Sequence, residues 1–200
     1  MLNETILETK APPVAVPESQ PDPRAIDETS DARLVDRARG DVEAFAALYR
    51  RHYPAIQRYV RRRLGQSGFV DDVVAETFLK ALEYLPRYED RGLPFRAWLY
   101  RIATSRISRL ARRAARRLQQ LEAEPAVEPD RDEPDREKIR RALLGLPERF
   151  QSVIALHHLE GLSVEEVAAI LGCASGTVKS RLSRGRAALR RRLESSGDHR

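Results

Sequence analysis

Cysteine is almost missing from this chain: Cys173 is the single thiol in 200 residues. No internal disulfide can form, and a dedicated thiolate metal site is disfavoured. Long apolar runs are missing as well. None approaches the roughly 20 residues that cross a bilayer, and residues 1–30 lack the basic-then-apolar start of an export signal. A cytoplasmic location without membrane insertion is the expectation. No glycine-rich phosphate loop, no paired zinc-ligand spacing and no G-x-S-x-G elbow occurs. The adjacent His157 and His158 point in different directions on a helix and do not make the i, i+4 pair that clamps a metal. The carboxylates do not converge on one site. The chain therefore reads as a binding protein and not an enzyme, with no cofactor and no metal.

Charge is abundant and segregated. Lysine and arginine total 36 against 30 acids, a formal +6, and only four of the 36 are lysines (Lys10, Lys80, Lys138 and Lys179). Arginine suits phosphate and guanine recognition, and a polyanion is the natural partner of the basic segments. Residues 1–30 carry five prolines among scattered acids and too few large apolar residues to build a core, so disorder is expected there. Residues 122–137 reverse the charge, with eight acids, two arginines and three prolines. They read as an extended, self-repelling linker. The resulting layout is a tail over 1–30, a helical domain over 31–118, a linker over 119–137, a second helical domain over 138–194 and a short tail over 195–200. The fold class is all-α, two small helical domains joined flexibly.

The second domain is the more legible. It opens with Ile139, Leu143 and Leu144, and Phe150, Val153, Ile154 and Leu156 form a further helix before Gly161. Val164, Val167, Ala168 and Leu171 then recur at helical spacing, and Gly172 ends that helix. Val178, Leu182, Leu189 and Leu193 make another stripe, which leaves Thr177, Ser180, Arg184 and Arg191 on the opposite side, flanked by Lys179 and Arg181. The small pair Ala168 and Gly172 fits a close helix crossing, and Cys173 reads as a small buried residue of the turn. This is a helix-turn-helix whose second helix presents a short, cationic face suited to a DNA major groove.

In the first domain Asp31 and Asp41 read as helix caps. Leu34, Val35 and Ala38, then Ala44, Phe45, Leu48 and Tyr49, then Ile56, Tyr59, Val60 and Leu64 lie on apolar stripes, with Pro54 kinking a helix or starting one. A third helix over 69–85 places Val70, Val73, Val74, Phe78, Ala81, Leu82 and Leu85 on one face and Asp71, Asp72, Glu76, Lys80 and Glu83 away from it. Acids at the first turn favour the helix dipole, yet an acidic face repels phosphate and so points to a protein partner. After Pro94, Phe95, Trp98, Leu99, Ile102 and Leu110 are at core spacing. Arg101, Arg106, Arg109, Arg112, Arg113, Arg116 and Arg117 follow with no acid between them. Such a row repels itself unless an anion lies alongside, and aromatics beside it are the ingredients of a single-strand platform.

These segments resemble the sigma-70 family of bacterial RNA polymerase sigma factors, in its small two-domain extracytoplasmic-function (ECF) group. DVEAFAALYRRHYPAIQRYVRRRLG, VDDVVAETFLKALEYL and FRAWLYRIATSRI resemble region 2. LPERFQSVIALHHLEGLSVEEVAAILG and GTVKSRLSRGRAALRRRL resemble region 4. The resemblance implies that Asp71, Asp72 and Glu76 dock on the β′ clamp of core RNA polymerase. It implies that Tyr88, Trp98, Arg101, Ser105, Arg106, Arg109, Arg112 and Arg113 capture and melt the minus-ten element. It further implies that Ser175, Thr177, Lys179, Ser180, Arg181 and Arg184 read the minus-thirty-five element. The acidic linker would thread the RNA exit path, and the partners implied are core polymerase (β′ clamp and β flap), promoter DNA and an anti-sigma factor. Three positions depart from the family pattern: Ser105 stands where Asn is common, Arg109 where Asp is common, and Ala75 where Gln is usual. The competing reading is a free-standing helix-turn-helix regulator that dimerises or senses a ligand through its first domain and binds palindromes alone. An RNA-binding or structural role is more distant, because the second domain carries no RNA module.

Overall fold

The computed structural model describes residues 30–65, 67–89, 93–118 and 134–195, and among them there are helices and turns but no strand. Helix α1 (Asp31–Ala38) buries Leu34, Val35 and Ala38. Its N-cap is Ser30 rather than Asp31. The Asp31 carboxylate instead reaches sideways to Arg51 Nη1 at 2.7 Å and His52 Nε2 at 2.8 Å. Helix α2 (Val42–Leu64) is capped by Asp41, whose side chain accepts from the Glu43 and Ala44 amides. It runs unbroken through Pro54 and stops at Gly65, where φ is +69°. Helix α3 (Val70–Tyr84) buries Val70, Val73, Val74, Thr77, Phe78 and Ala81.

A single 3-10 turn (Leu85–Arg87) follows α3, and helix α4 (Phe95–Leu118) completes the first domain. Leu48, Ile56, Tyr59, Leu85, Leu99 and Ile107 are sealed from solvent in its core, each aliphatic side chain contributing on the order of 1.5–3 kcal/mol. Two residues expected on the apolar faces are exposed instead: Tyr49 at 39% and Leu82 at 47%, and Leu79 is exposed at 64%. The inward face of α3 is narrower than its apolar content suggests: Val70, Val73, Val74, Thr77, Phe78 and Ala81 fill it, and Leu82 falls past its edge, about 40° beyond Phe78 and 100° from Ala81.

The second domain is built from α5 (Pro134–Leu144), α6 (Glu148–Ile154), a π-helical turn (Ala155–Leu159), α7 (Val164–Leu171) and α8 (Ser175–Ser195). Helix α5 begins inside the stretch read as linker, and Ile139, expected in the core, is 47% exposed while Leu143 is buried. Helix α7 starts with a reciprocal capping box: Ser163 Oγ accepts from the Glu166 amide at 3.1 Å and Glu166 Oε2 accepts from the Ser163 amide at 2.8 Å. It ends at Gly172 with φ +63°, and the Cys173 amide donates back to the Ala168 carbonyl at 3.1 Å.

Gly172 plays one of the two roles expected of it, and Gly185 takes the other. A Cβ at Gly172 would meet nothing within 4 Å, so its function is the left-handed cap and not a close crossing. The close crossing is at Gly185 in the middle of α8. A Cβ there would lie 3.0 Å from Ile154 Cδ1 and 3.3 Å from Phe150 Cβ. Glycine in a helix interior costs about 1 kcal/mol against alanine, and the approach of α6 to α8 is what that cost secures.

The two domains touch. Helix α4 packs on α7, and α2 packs on the π turn and on α5. The groups that meet there are largely polar: Arg63, 4% exposed, donates to Ser152 Oγ at 2.9 Å and to Tyr59 Oη at 3.2 Å.

Candidate nucleic-acid and protein interfaces

The aromatic cluster of the first domain forms where α4 meets the segment after α3. Tyr88 and Trp98 lie with ring centroids 4.6 Å apart, and Phe95 packs on both, at 5.8 Å from Tyr88 and 5.6 Å from Trp98. Tyr88 is held from two sides: its hydroxyl donates to the Leu93 carbonyl at 2.9 Å, and its own carbonyl accepts from Arg39 at 3.0 Å. Buried to 8% exposure, Tyr88 is a wall and not a stacking surface, whereas Trp98 is half-buried and faces a cleft of about 550 Å³. Tyr84, Arg87, Glu89, Leu93, Arg101, Ile102 and, from the second domain, Ala169 complete the lining, so one carboxylate stands among its two arginines.

From that cleft one face of α4 runs on through Trp98, Arg101, Ser105, Arg109 and Arg112, positions separated by three or four residues and so stacked along one side. The four after Trp98 are exposed, and Arg113 is exposed beside them. Arg106 leaves this group. It turns 100° away and its Nη1 lies 3.2 Å from Glu76 Oε2 on α3. The arginine row is therefore not wholly without acidic compensation, and Glu76 is shared between α3's acidic face and this bridge.

That acidic face is fully displayed. Asp71, Asp72 and Glu76 are exposed, and between them and Glu83 lie the exposed side chains of Leu79 and Leu82. Leu79 was absent from the residues singled out by sequence. It belongs with Asp72, Glu76 and Glu83 by its i, i+3, i+4 spacing, and that register was the available signal. An apolar centre with an acidic rim fits a basic protein surface.

In the helix-turn-helix, α8 begins at Ser175, with the Thr177 and Val178 amides donating to the Ala174 carbonyl. Val178 and Leu182 are buried against α7, while Lys179, Ser180 and Arg184 are exposed. Ser180 Oγ donates to the Thr177 carbonyl at 3.0 Å. Arg181 bends back towards the turn, 3.9 Å from Cys173 Sγ. Cys173 is half-buried, less enclosed than its place in the turn suggests. The structure thus brings Thr177, Lys179, Ser180 and Arg184 to one accessible end of α8.

His157 and His158 occupy the π turn with rings edge-on at 4.8 Å. His157 Nδ1 lies 2.7 Å from the Leu162 carbonyl, which ties down the chain before α7. Among the described residues no group of three or more histidine, cysteine or carboxylate side chains is placed to hold a metal ion, and no helix is long and apolar enough to cross a membrane.

Residues 48–117 match the family model described as Sigma-70 region 2, and residues 136–189 match that described as Sigma-70, region 4. The chain is 33% identical over 186 residues to the ECF RNA polymerase sigma factor SigD of Mycobacterium tuberculosis (strain ATCC 25618 / H37Rv), covering 86% of this chain and 87% of that protein. It is 33% identical over 186 residues to the ECF RNA polymerase sigma-E factor of Escherichia coli (strain K12), covering 84% and 96%. Among solved structures, CnrH in complex with the cytosolic domain of CnrY superposes with a TM-score of 0.65 at 34% identity, over 82% of this chain and 97% of that one. The sigma factor RpoE in complex with the anti-sigma factor NepR, from Bartonella quintana, gives 0.66 at 28%, over 76% and 98%.

Proposed function

We propose that this chain, which belongs to the extracytoplasmic-function group of the sigma-70 family of RNA polymerase sigma factors, binds core polymerase through α3 and places it on promoters through two separate DNA-reading surfaces. The observation that carries the reading is the Tyr88–Trp98 cleft opening onto the arginine face of α4, in a chain whose other domain is a helix-turn-helix. A flipped base needs a preformed pocket, since unstacking costs a few kcal/mol per base. Here the pocket wall is fixed before DNA arrives by the two hydrogen bonds at Tyr88. Arg101, Arg109, Arg112 and Arg113 then hold the strand by its phosphates. Ser105 and Arg109 face this groove in place of the family's usual Asn and Asp. With a hydroxyl and a cation there, the minus-ten preference differs from that of relatives with the amide and carboxylate.

The α8 face of Ser175, Thr177, Lys179, Ser180 and Arg184, with Arg181 at its edge, reads the minus-thirty-five duplex. The Asp71, Asp72, Glu76, Leu79 and Leu82 face docks on the polymerase β′ clamp, and the second domain on the β flap. A self-associating regulator needs a self-complementary seam. The exposed leucines of α3 sit among acids and fit a basic partner better than a second copy. An anti-sigma factor is a further partner, supported by the RpoE–NepR likeness, and the cytoplasm is the site of action.

The division of labour is tested by two substitutions measured side by side. Asp72→Arg is expected to weaken core association while leaving DNA preference intact. Arg184→Ala is expected to leave core affinity intact while relaxing upstream-element selection by about 1–3 kcal/mol if the contact is to a base. Equal loss of both properties in either variant contradicts the assignment.

A further inference from the structure

The contact between the domains is built around one carboxylate. Glu160, at the end of the π turn, has a side chain only 1% exposed. Its Oε1 lies 2.7 Å from Arg62 Nη1, its Oε2 lies 3.7 Å from Arg58 Nη2, and Oε2 also accepts from the Tyr100 hydroxyl at 2.8 Å. All three partners belong to the first domain: Arg58 and Arg62 are one turn apart on α2, and Tyr100 stands on α4. Burial and then the Glu160 carboxylate push the Tyr100 hydroxyl's pKa upwards, so it stays a donor. The seat is stiffened from behind, with Tyr100 edge-on to Tyr59 at 5.2 Å and Tyr59 bonded to Thr104 at 2.8 Å. Two more carboxylates of the second domain lie along the same seam. Glu166 is 3.5 Å from Arg96, and Glu148 accepts from Ser108 Oγ. The seam ends at the aromatic cleft, where Ala169 of α7 lines the space beside Trp98 and Arg101.

Two guanidinium groups and a phenol converging on one oxyanion recognise phosphate as well as carboxylate. We propose that Arg58, Arg62 and Tyr100 form a phosphate-binding seat for promoter DNA, which Glu160 fills in the closed chain and vacates when the domains part. The proposal rests on the sigma reading. Elements about 25 base pairs apart are about 85 Å apart on straight duplex at 3.4 Å per pair, whereas a compact 200-residue body has a radius of gyration of about 16 Å. Both elements cannot be held by the closed form, so engagement at both uncovers the seat. It then lies on the face of α2 and α4 that the second domain had covered, with its natural occupant removed.

The test uses the full chain assembled with core polymerase and a promoter probe carrying a melted minus-ten segment, with binding followed across salt concentrations. Glu160→Gln removes the tenant's charge and leaves the seat intact. It is expected to lengthen the inter-domain distance read by fluorescence energy transfer in the uncombined chain and to tighten probe binding severalfold. In the Glu160→Gln background, adding Arg62→Ala is expected to weaken binding and lower the slope of log K against log salt by about 1, with Arg58→Ala acting in the same direction. A double variant with the affinity and slope of Glu160→Gln alone overturns the phosphate assignment, and an unchanged inter-domain distance in Glu160→Gln overturns the tenancy. Failure of the wild-type holoenzyme to bind any promoter probe would instead sink the sigma reading beneath it.

Discussion

Replacing Gly185 by alanine separates helix propensity from packing in a single measurement. Propensity alone favours the change by about 1 kcal/mol. The new methyl, however, would sit 3.0 Å from Ile154 Cδ1 and 3.3 Å from Phe150 Cβ, both inside ordinary carbon contact, and 3.5 Å from Ile154 Cγ1. Overpacking of this kind costs about 1–3 kcal/mol, so the net expectation is a destabilisation of roughly 1 kcal/mol. Gly176 in the first turn of the same helix is the internal control: a Cβ there meets nothing within 4 Å. Gly176→Ala should therefore stabilise, by up to about 1 kcal/mol. Urea melts followed by far-ultraviolet circular dichroism give both values. The third arm is Ile154→Val, which deletes the atom nearest the new methyl. It costs about 0.5–1.5 kcal/mol in the parent chain and should cost less in the Gly185→Ala background, giving a favourable coupling energy. If Gly185→Ala stabilises as much as Gly176→Ala, and the cycle closes without coupling, the α6–α8 crossing does not require glycine.

Ser163→Ala removes half of the capping box at α7 and should lower stability by about 0.5–2 kcal/mol, measurable in the same melts; a neutral result would mean that Glu166 and water cap the helix without it. At Asp31, burial acts to raise the carboxyl's pKa, but the nearby His52 and the hydrogen-bonded Arg51 outweigh it and hold the group below its usual 3.8. A folded pKa below the unfolded one stabilises the fold above the unfolded value and loses that contribution as pH falls through the folded one. Asp31→Asn should therefore be less stable than the parent at pH 7, and the gap should close below about pH 4; a gap constant down to pH 2 would show that charge at Asp31 is not what fastens α1 to α2.

The parts of the fold that could be read in advance are those whose signal is local. The caps at Asp41 and Gly172, the α7 and α8 stripes and the acidic face of α3 each follow from residues within one or two turns of one another. Ser163-Val164-Glu165-Glu166 announces its capping box just as locally, although it was not among the features picked out. The displaced features depend on partners far along the chain. Leu82 is apolar and in a helix, but whether it is core depends on how much of α3's circumference α2 and α4 cover. Arg106 belongs to the arginine row by composition and leaves it because Glu76, thirty residues earlier, is within reach. Gly185 has no local explanation because its reason is Ile154 on another helix. Glu160 sits among ordinary turn residues in the sequence, and only the meeting of α2, α4 and the π turn shows it as the buried centre of the inter-domain seam.

The most direct measurement is run-off transcription with purified core polymerase and a library of upstream DNA. The account predicts transcripts that require this chain and share two sequence elements at a fixed spacing, with one lost in Arg184→Ala and all output reduced in Asp72→Arg. No promoter-dependent transcript from any member of the library, with a chain that nevertheless binds duplex palindromes alone, would contradict it.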